Sequence, residues 1–359
     1  MSVVRILVVG AGLIGRRHLE LVAASEECEL AGVVEPAASA RAALPDLDAP
    51  VFGSLADALR AASGPGLGAI IATPNRFHRD HALACIGAGL PTLVEKPLAD
   101  TLEDAQEMVA VAAASGVPLL VGHHRRHSPY VTVARDLIRA GTLGRIVAVT
   151  ASILFYKPDG YFDSAPWRSG PGGGPILINL IHEVDLLRAL CGEVESVHAM
   201  SSSAVRRFPV EDTAVVTMRF ESGALATIAL SDTAVCSRSW EHTARENPDY
   251  PHARDTDCYV IAGTDGSLSI PTMRLETYGT TKSWWEPLQT TFLTPARQDP
   301  LVRQLANFCG VVHGTERPLV TGRDGLESLR VTLAIAEAAR TGSTVRPREL
   351  PTALAPGGR

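Results

Sequence analysis

Apolar and polar positions alternate in two different ways along this chain. Residues 6–9, 30–34, 69–72, 92–94 and 118–121 are short apolar runs rich in β-branched residues, which predict buried strands of a parallel sheet. Helical stretches lie between them, at about 13–22, 39–44, 54–62, 78–88 and from 101 onward. Ser54 and Thr101 stand where N-caps belong, and Gly64-Pro65-Gly66 breaks the third helix. Strand and helix in this order predict a doubly wound α/β sheet.

The pattern changes near residue 145. Residues 145–157, 194–206, 213–220 and 224–231 are longer strand-like stretches, and Val215, Thr217 and Arg219 alternate with Val216, Met218 and Phe220. Residues 259–262 and 268–270 continue the set across the turn Gly263-Thr264-Asp265-Gly266. A helix at 176–190 precedes this largely antiparallel sheet, and helices at 300–312 and 323–340 are expected to close the domain. The expectation is α/β overall: an N-terminal Rossmann dinucleotide-binding domain over 1–125, then an α+β domain over 126–345 with a large, mainly antiparallel open sheet. Residues 346–359 are expected to form a frayed tail. The polar stretch 238–257, with Pro248 and Pro251, reads as one long loop.

The first strand runs into Gly10-Ala11-Gly12-Leu13-Ile14-Gly15, a G-x-G-x-x-G. Gly10 makes the tight turn, Gly12 admits a pyrophosphate, and Gly15 lets helix and strand pack closely. Leu13 and Ile14 are expected on the inner side of the following helix, whose N-terminus favours an anion. The second strand ends at Glu35, where an acidic residue can accept hydrogen bonds from both hydroxyls of an adenosine ribose. A 2′-phosphate would meet that charge, and Arg41 is the one cation nearby, so NAD is expected before NADP. Thr73-Pro74-Asn75 and Glu95-Lys96-Pro97 follow later strands, at the ligand edge of such a sheet.

Length and composition narrow the setting. The chain has 359 residues, 46% of them hydrophobic, and a formal net charge of −6 with no basic block, so neither nucleic acid nor an anionic membrane is expected as partner. Its six scattered cysteines include no C-x-x-C and read as core residues in a reducing compartment. No run has signal-peptide or membrane-span length, so a soluble cytoplasmic protein is expected. His123, His124 and His127 lack the carboxylate or thiolate company of a metal site, and no metal is expected.

In order along the chain, these motifs resemble those of the Gfo/Idh/MocA oxidoreductases. The resemblance runs from the glycine loop through Thr73-Pro74-Asn75 with His78 and on to Glu95-Lys96-Pro97. Arg126, Leu143-Gly144-Arg145-Ile146, Trp167-Arg168, Gly172-Gly173-Gly174 and His182 with Asp185 follow. It implies NAD(P)-linked oxidation or reduction of a sugar, polyol or related ring alcohol, and a dimer or tetramer formed through the second sheet. Lys96 would hydrogen-bond the reacting hydroxyl and stabilise a developing alkoxide. His182, eight residues beyond Gly174, has the spacing of the family's catalytic histidine and would take the hydroxyl proton. The resemblance places Gly10, Gly12, Leu13, Ile14, Gly15, Glu35, Thr73, Pro74, Asn75, His78, Glu95 and Lys96 on the cofactor. Arg126, Trp167, Arg168, Asn179, Lys96 and His182 are the substrate candidates.

One position departs from the family. The aspartate usual four residues before the histidine is Ile178 here, and Asn179 is the nearest polar group. Trp284 and Trp285 suit a subunit interface, and Trp240 either a sugar site or a subunit interface. The family leaves two alternatives to a dehydrogenase: a hydrolase or isomerase working by transient oxidation, and a non-catalytic cofactor- and sugar-binding regulator.

Overall fold

The computed structural model describes residues 3–62 and 64–352 and divides into two units. The first comprises Met1–His127 with Pro300–Leu329, the second Ser128–Asp299 with Arg330–Arg359.

In the first unit, β1 (Val4–Val9), α1 (Leu13–Ala23), β2 (Cys28–Val34), α2 (Ala38–Ala42), β3 (Val51–Phe52) and α3 (Leu55–Ala61) follow one another. Then come β4 (Leu67–Ile71), α4 (His78–Gly87), β5 (Thr92–Val94), α5 (Leu102–Ser115) and β6 (Leu119–Val121). The strands form a six-stranded parallel sheet in the order β3-β2-β1-β4-β5-β6, the Rossmann arrangement. Its order reverses between β1 and β4, so the glycine loop and Thr73 emerge side by side. Ser54 and Thr101 cap α3 and α5 as expected, accepting from the Asp57 and Asp104 N–H groups. Gly116, left-handed, ends α5.

The second unit holds α6 (Pro129–Arg139), β7 (Ile146–Leu154), α7 (Asp159–Asp163), α8 (Ile181–Cys191), β8 (Val194–Ser202), β9 (Thr213–Phe220) and β10 (Leu225–Ser231). After these come α9 (Trp240–Thr243), β11 (Tyr259–Gly263), β12 (Gly266–Ile270), β13 (Arg274–Thr277) and β14 (Gln289–Phe292). Eight strands pair in the order β14-β13-β12-β11-β7-β10-β9-β8, antiparallel except between β7 and β10. Along β9 the alternation is complete: Ala214, Val216, Met218 and Phe220 are buried, and Val215, Thr217 and Arg219 are exposed. Two helices follow the sheet in the chain, α10 (Pro300–Val312) and α11 (Gly322–Thr341).

Four expectations need correcting. The helix at 300–312 belongs to the first unit. Leu305, Phe308, Cys309 and Val311 join Val4, Ile6 and Val8 in one core, and Gly68 lacks a Cβ where Phe308 and Val312 press in. Leu13 is not on the inner side of α1 but 87% exposed, because the helix buries His18, Leu19, Leu21 and Val22 instead. The stretch 238–257 contains α9, with Trp240 buried edge-on against Tyr130 and Tyr259 and donating to Glu246. The tail does not fray at its start: just after Val345 pairs with Val197, a turn at Pro347–Glu349 leads to a buried Leu350. Residues 353–359 of the expected tail lie outside the described residues.

Candidate active site

The carboxyl edge of the parallel sheet carries the first group of site residues. Gly10 has φ +97°, and a Cβ there would lie 2.8 Å from the Ala72 carbonyl oxygen; one on Gly15 would collide with the Gly10 carbonyl. Packing explains both glycines but not Gly12, whose Cβ would meet no protein atom within 4 Å. Gly12 stands at the N-terminus of α1, which no side chain caps. A small residue beside uncapped N–H groups fits a pyrophosphate, the group this motif would hold. Glu35 is drawn to the same lip, its two carboxylate oxygens accepting from the Ala11 N–H (3.1 Å) and the Ala37 N–H (3.0 Å). Arg41 folds back to donate to the carbonyls of Glu35 and Pro36, at 2.8 and 2.7 Å.

The ends of β4 and β5 are tied together by His78. Its ring nitrogens lie 2.8 Å from the Thr73 carbonyl and 2.9 Å from the Pro97 carbonyl. Burial holds this imidazole below its ordinary range, against the two carbonyls, which act the other way. Fully buried, His78 can reach a cofactor only through the backbone it holds. Thr73 Oγ1 faces His81 Nδ1 at 3.2 Å, Asn75 hydrogen-bonds Asp100, and Pro74 is exposed between two half-buried neighbours.

Glu95 is buried, with Oε1 2.8 Å from His18 Nε2 and Oε2 accepting from the Lys96 N–H at 3.3 Å. Burial by itself would raise its pKa. The His18 hydrogen bond, with the fields of His18, His124 and Lys96, outweighs that and holds the carboxyl below its usual range. Gly122 makes room for it, since a Cβ there would lie 2.9 Å from the carboxylate. Sequence reasoning missed His18. It ends the glycine-loop stretch, but its partner lies 77 positions away.

His123, His124 and His127 follow the end of β6. No group of three or more His, Cys, Asp or Glu side chains among the described residues is disposed to hold a metal ion. Burial, with nearby arginines, holds both His124 and His127 down at about 3. Arg126 is engaged inside the first unit, 3.4 Å from the Leu319 carbonyl and 3.8 Å from Asp324.

In the second unit a π-helical turn, Ile176–Leu180, leads into α8. Such turns recur at functional sites. The Ile176 N–H donates to Glu211 at 2.9 Å, and Gly174 is small because that carboxylate occupies the space a Cβ would need. His182 is buried in the first turn of α8. Asn179, in the π turn, accepts at 2.7 Å from the ammonium of Lys157, which is itself buried. Because β7 and β10 are parallel neighbours, Lys157 and Asp232 leave the same end of the sheet, and the Lys157 N–H donates to the Asp232 carbonyl. Arg206 donates to Asp232 Oδ1 (2.7 Å) and to the Lys157 carbonyl (2.7 Å), with its guanidinium over Phe162. Arg168 lies over the Tyr161 ring at 3.9 Å, and Trp167 is 59% exposed.

Lys157 was also missed, although composition marks it. The chain has 33 lysines and arginines, and only Lys96, Lys157 and Lys282 are lysine.

Two family models match: an oxidoreductase family with an NAD-binding Rossmann fold over residues 4–123, and the GFO/IDH/MocA C-terminal domain over 131–269. The 1,5-anhydro-D-fructose reductase of Ensifer adhaerens is 32% identical over 283 residues, 76% of this chain and 77% of that one. The NAD(+)-linked scyllo-inositol 2-dehydrogenase of Bacillus subtilis is 27% identical over 79% of this chain and 78% of its own. Among solved structures, the WlbA dehydrogenase of Bordetella pertussis, in complex with NADH and UDP-GlcNAcA, superposes with a TM-score of 0.76. It is 28% identical, over 98% of this chain and 99% of that one. With the glycine loop, Glu35 and the strand-end lysine on one sheet edge, these likenesses lead to one conclusion: the chain belongs to the GFO/IDH/MocA family of NAD-binding oxidoreductases.

Proposed function

We propose that this oxidoreductase is a dehydrogenase for a secondary alcohol, or the matching ketone, of a sugar, polyol or cyclic polyhydroxy compound. The observation that carries the reading is the sheet edge where the glycine loop, Glu35 and Lys96 follow the ends of β1, β2 and β5. The loop and Glu35 hold the cofactor's pyrophosphate and adenosine ribose, with Thr73, Pro74 and Asn75 at the neighbouring strand end. NAD, when bound, supplies the two-electron acceptor.

Lys96 donates a hydrogen bond to the reacting oxygen, and its charge stabilises the alkoxide as it develops. His182 takes the hydroxyl proton at a ring nitrogen during oxidation and returns it during reduction. Glu95 and His78 hold the backbone on either side of Lys96. The names of the relatives, a sugar reductase and an inositol dehydrogenase among them, support this substrate class. The exposed sheet face with Met200, Val215, Leu225 and Val260 is the surface we assign to a second copy. No helix among the described residues is long and apolar enough to cross a membrane, and the scattered cysteine spacing, with no C-x-x-C, supports a cytoplasmic setting.

A panel of sugars, inositols, sugar acids and cyclic diols with NAD or NADP, read by absorbance of the reduced cofactor, tests the reading. Turnover of at least one member with NAD is expected. Tight NAD binding with no reduced cofactor from any member would sink it.

A further inference from the structure

The second unit contains a buried ammonium at hydrogen-bond distance from a neutral amide. Lys157 Nζ is 2.7 Å from Asn179 Oδ1 but 3.7 Å from Asp232 Oδ2, and Asp232 already accepts from Arg206 at 2.7 Å. The aromatic rings of Phe155 and Tyr161 lie 5.8 and 5.0 Å from the same ammonium. An ammonium only donates, so the amide atom facing it must be oxygen. A flipped carboxamide would set NH2 against NH3⁺ and lose a charge-assisted hydrogen bond. The Asn179 NH2 is therefore held on the side away from Lys157, in the turn that leads to His182.

We propose that Lys157 is a positioning residue that makes Asn179 a fixed hydrogen-bond donor, and that the substrate sets an acceptor-only oxygen against it. Such an oxygen is the carboxylate of a sugar acid or the carbonyl of a keto sugar. A carboxylate at this point of the helix would select hydroxyl donors and repel both of those groups; the amide reverses the preference. The inference rests on the dehydrogenase reading for the kind of molecule bound, but not for the polarity of Asn179.

The chain has four asparagines, at 75, 179, 247 and 307, so selective ¹⁵N-asparagine labelling gives four side-chain NH2 pairs, assigned by single substitution. The Asn179 pair should shift in Lys157→Met while the other three stay. With NADH present, D-gluconate or 2-keto-myo-inositol should move the Asn179 pair at lower concentration than myo-inositol does. A response to gluconate alone identifies a carboxylate, and a response to the ketone alone a carbonyl. Asn179→Asp, nearly the same shape, should swing the ratio of affinities toward myo-inositol by on the order of tenfold, which a merely structural role would not do.

An unmoved Asn179 pair in Lys157→Met overturns the proposal. So does a wild type that prefers myo-inositol or responds to none of the three probes, or an Asn179→Asp variant with unchanged ranking. If Lys157→Met does not fold, the Asn179→Asp ranking decides alone. NADH fluorescence and turnover in the same samples report on the dehydrogenase reading separately, so the two cannot fail unnoticed together.

Discussion

Replacing His18 by leucine should leave a buried carboxylate without its main partner. Glu95 is now balanced: burial pushes its pKa up, and the 2.8 Å contact to His18, with the neighbouring positive fields, pulls it below the ordinary range. Since its folded pKa is depressed, Glu95 stabilises the fold fully above its unfolded value of about 4.3. That contribution is lost as pH falls through the folded value. In His18→Leu burial dominates, and the folded pKa moves above the unfolded one. The sign then reverses, and stability is lost as pH rises through the new value.

Breaking a buried pair by removing one partner costs about 3–5 kcal/mol. At about 2–4 °C per kcal/mol for a unit of this size, the neutral-pH Tm should fall by roughly 6–20 °C. His18→Gln, which keeps a neutral N–H donor, should lose less. The assay is scanning calorimetry between about pH 4 and 8 on wild type, both variants, Glu95→Gln and the double variant. The gap between wild type and His18→Leu should widen as pH rises and nearly close in the Glu95→Gln background. A gap that is independent of pH, or smaller than about 2 °C, would refute the balance described.

Lys96→Ala should lower kcat by on the order of a hundredfold or more while leaving NAD affinity nearly unchanged, as steady-state kinetics with a cofactor titration will read. Glu35→Ser should weaken NAD by about tenfold and narrow its advantage over NADP, measured by calorimetric titration. Gly12→Ala and Gly122→Ala should part company. The first adds a Cβ that meets no protein atom, so it should keep the Tm and lose NAD; the second drives a Cβ to 2.9 Å from the Glu95 carboxylate and should lower the Tm. Burial holds the His127 imidazole at about 3, below its unfolded value. Its contribution is therefore whole above about pH 6.5 and lost as pH falls toward 3, at about 1.4 kcal/mol per pH unit. His127→Asn should flatten that acid limb in a Tm–pH series.

What the sequence determines here is whatever depends on neighbours along the chain. Strand alternation in β9, the glycine loop, and the Ser54 and Thr101 caps were legible because their geometry closes within a few residues. The motif order, a matter of spacing, was enough to point to the family and to Lys96 and His182 as candidates. β13 and β14 left no trace, because short, polar strands, one half-buried throughout and the other exposed throughout, show no alternation to register.

Tertiary structure decided everything that depends on which surface a side chain meets. The apolar stripe of α10 says that the helix must bury a face, not which sheet will receive it; Gly68 and the β1 core settle that. Trp240 could not be assigned from its own segment, because Tyr130 and Tyr259, which enclose it, come from elsewhere in the chain. Glu95, met by His18, and Lys157, met by Asn179, carry charges that water would otherwise hold. Only the fold, by joining positions 77 and 22 apart, supplies the partner that lets each be buried.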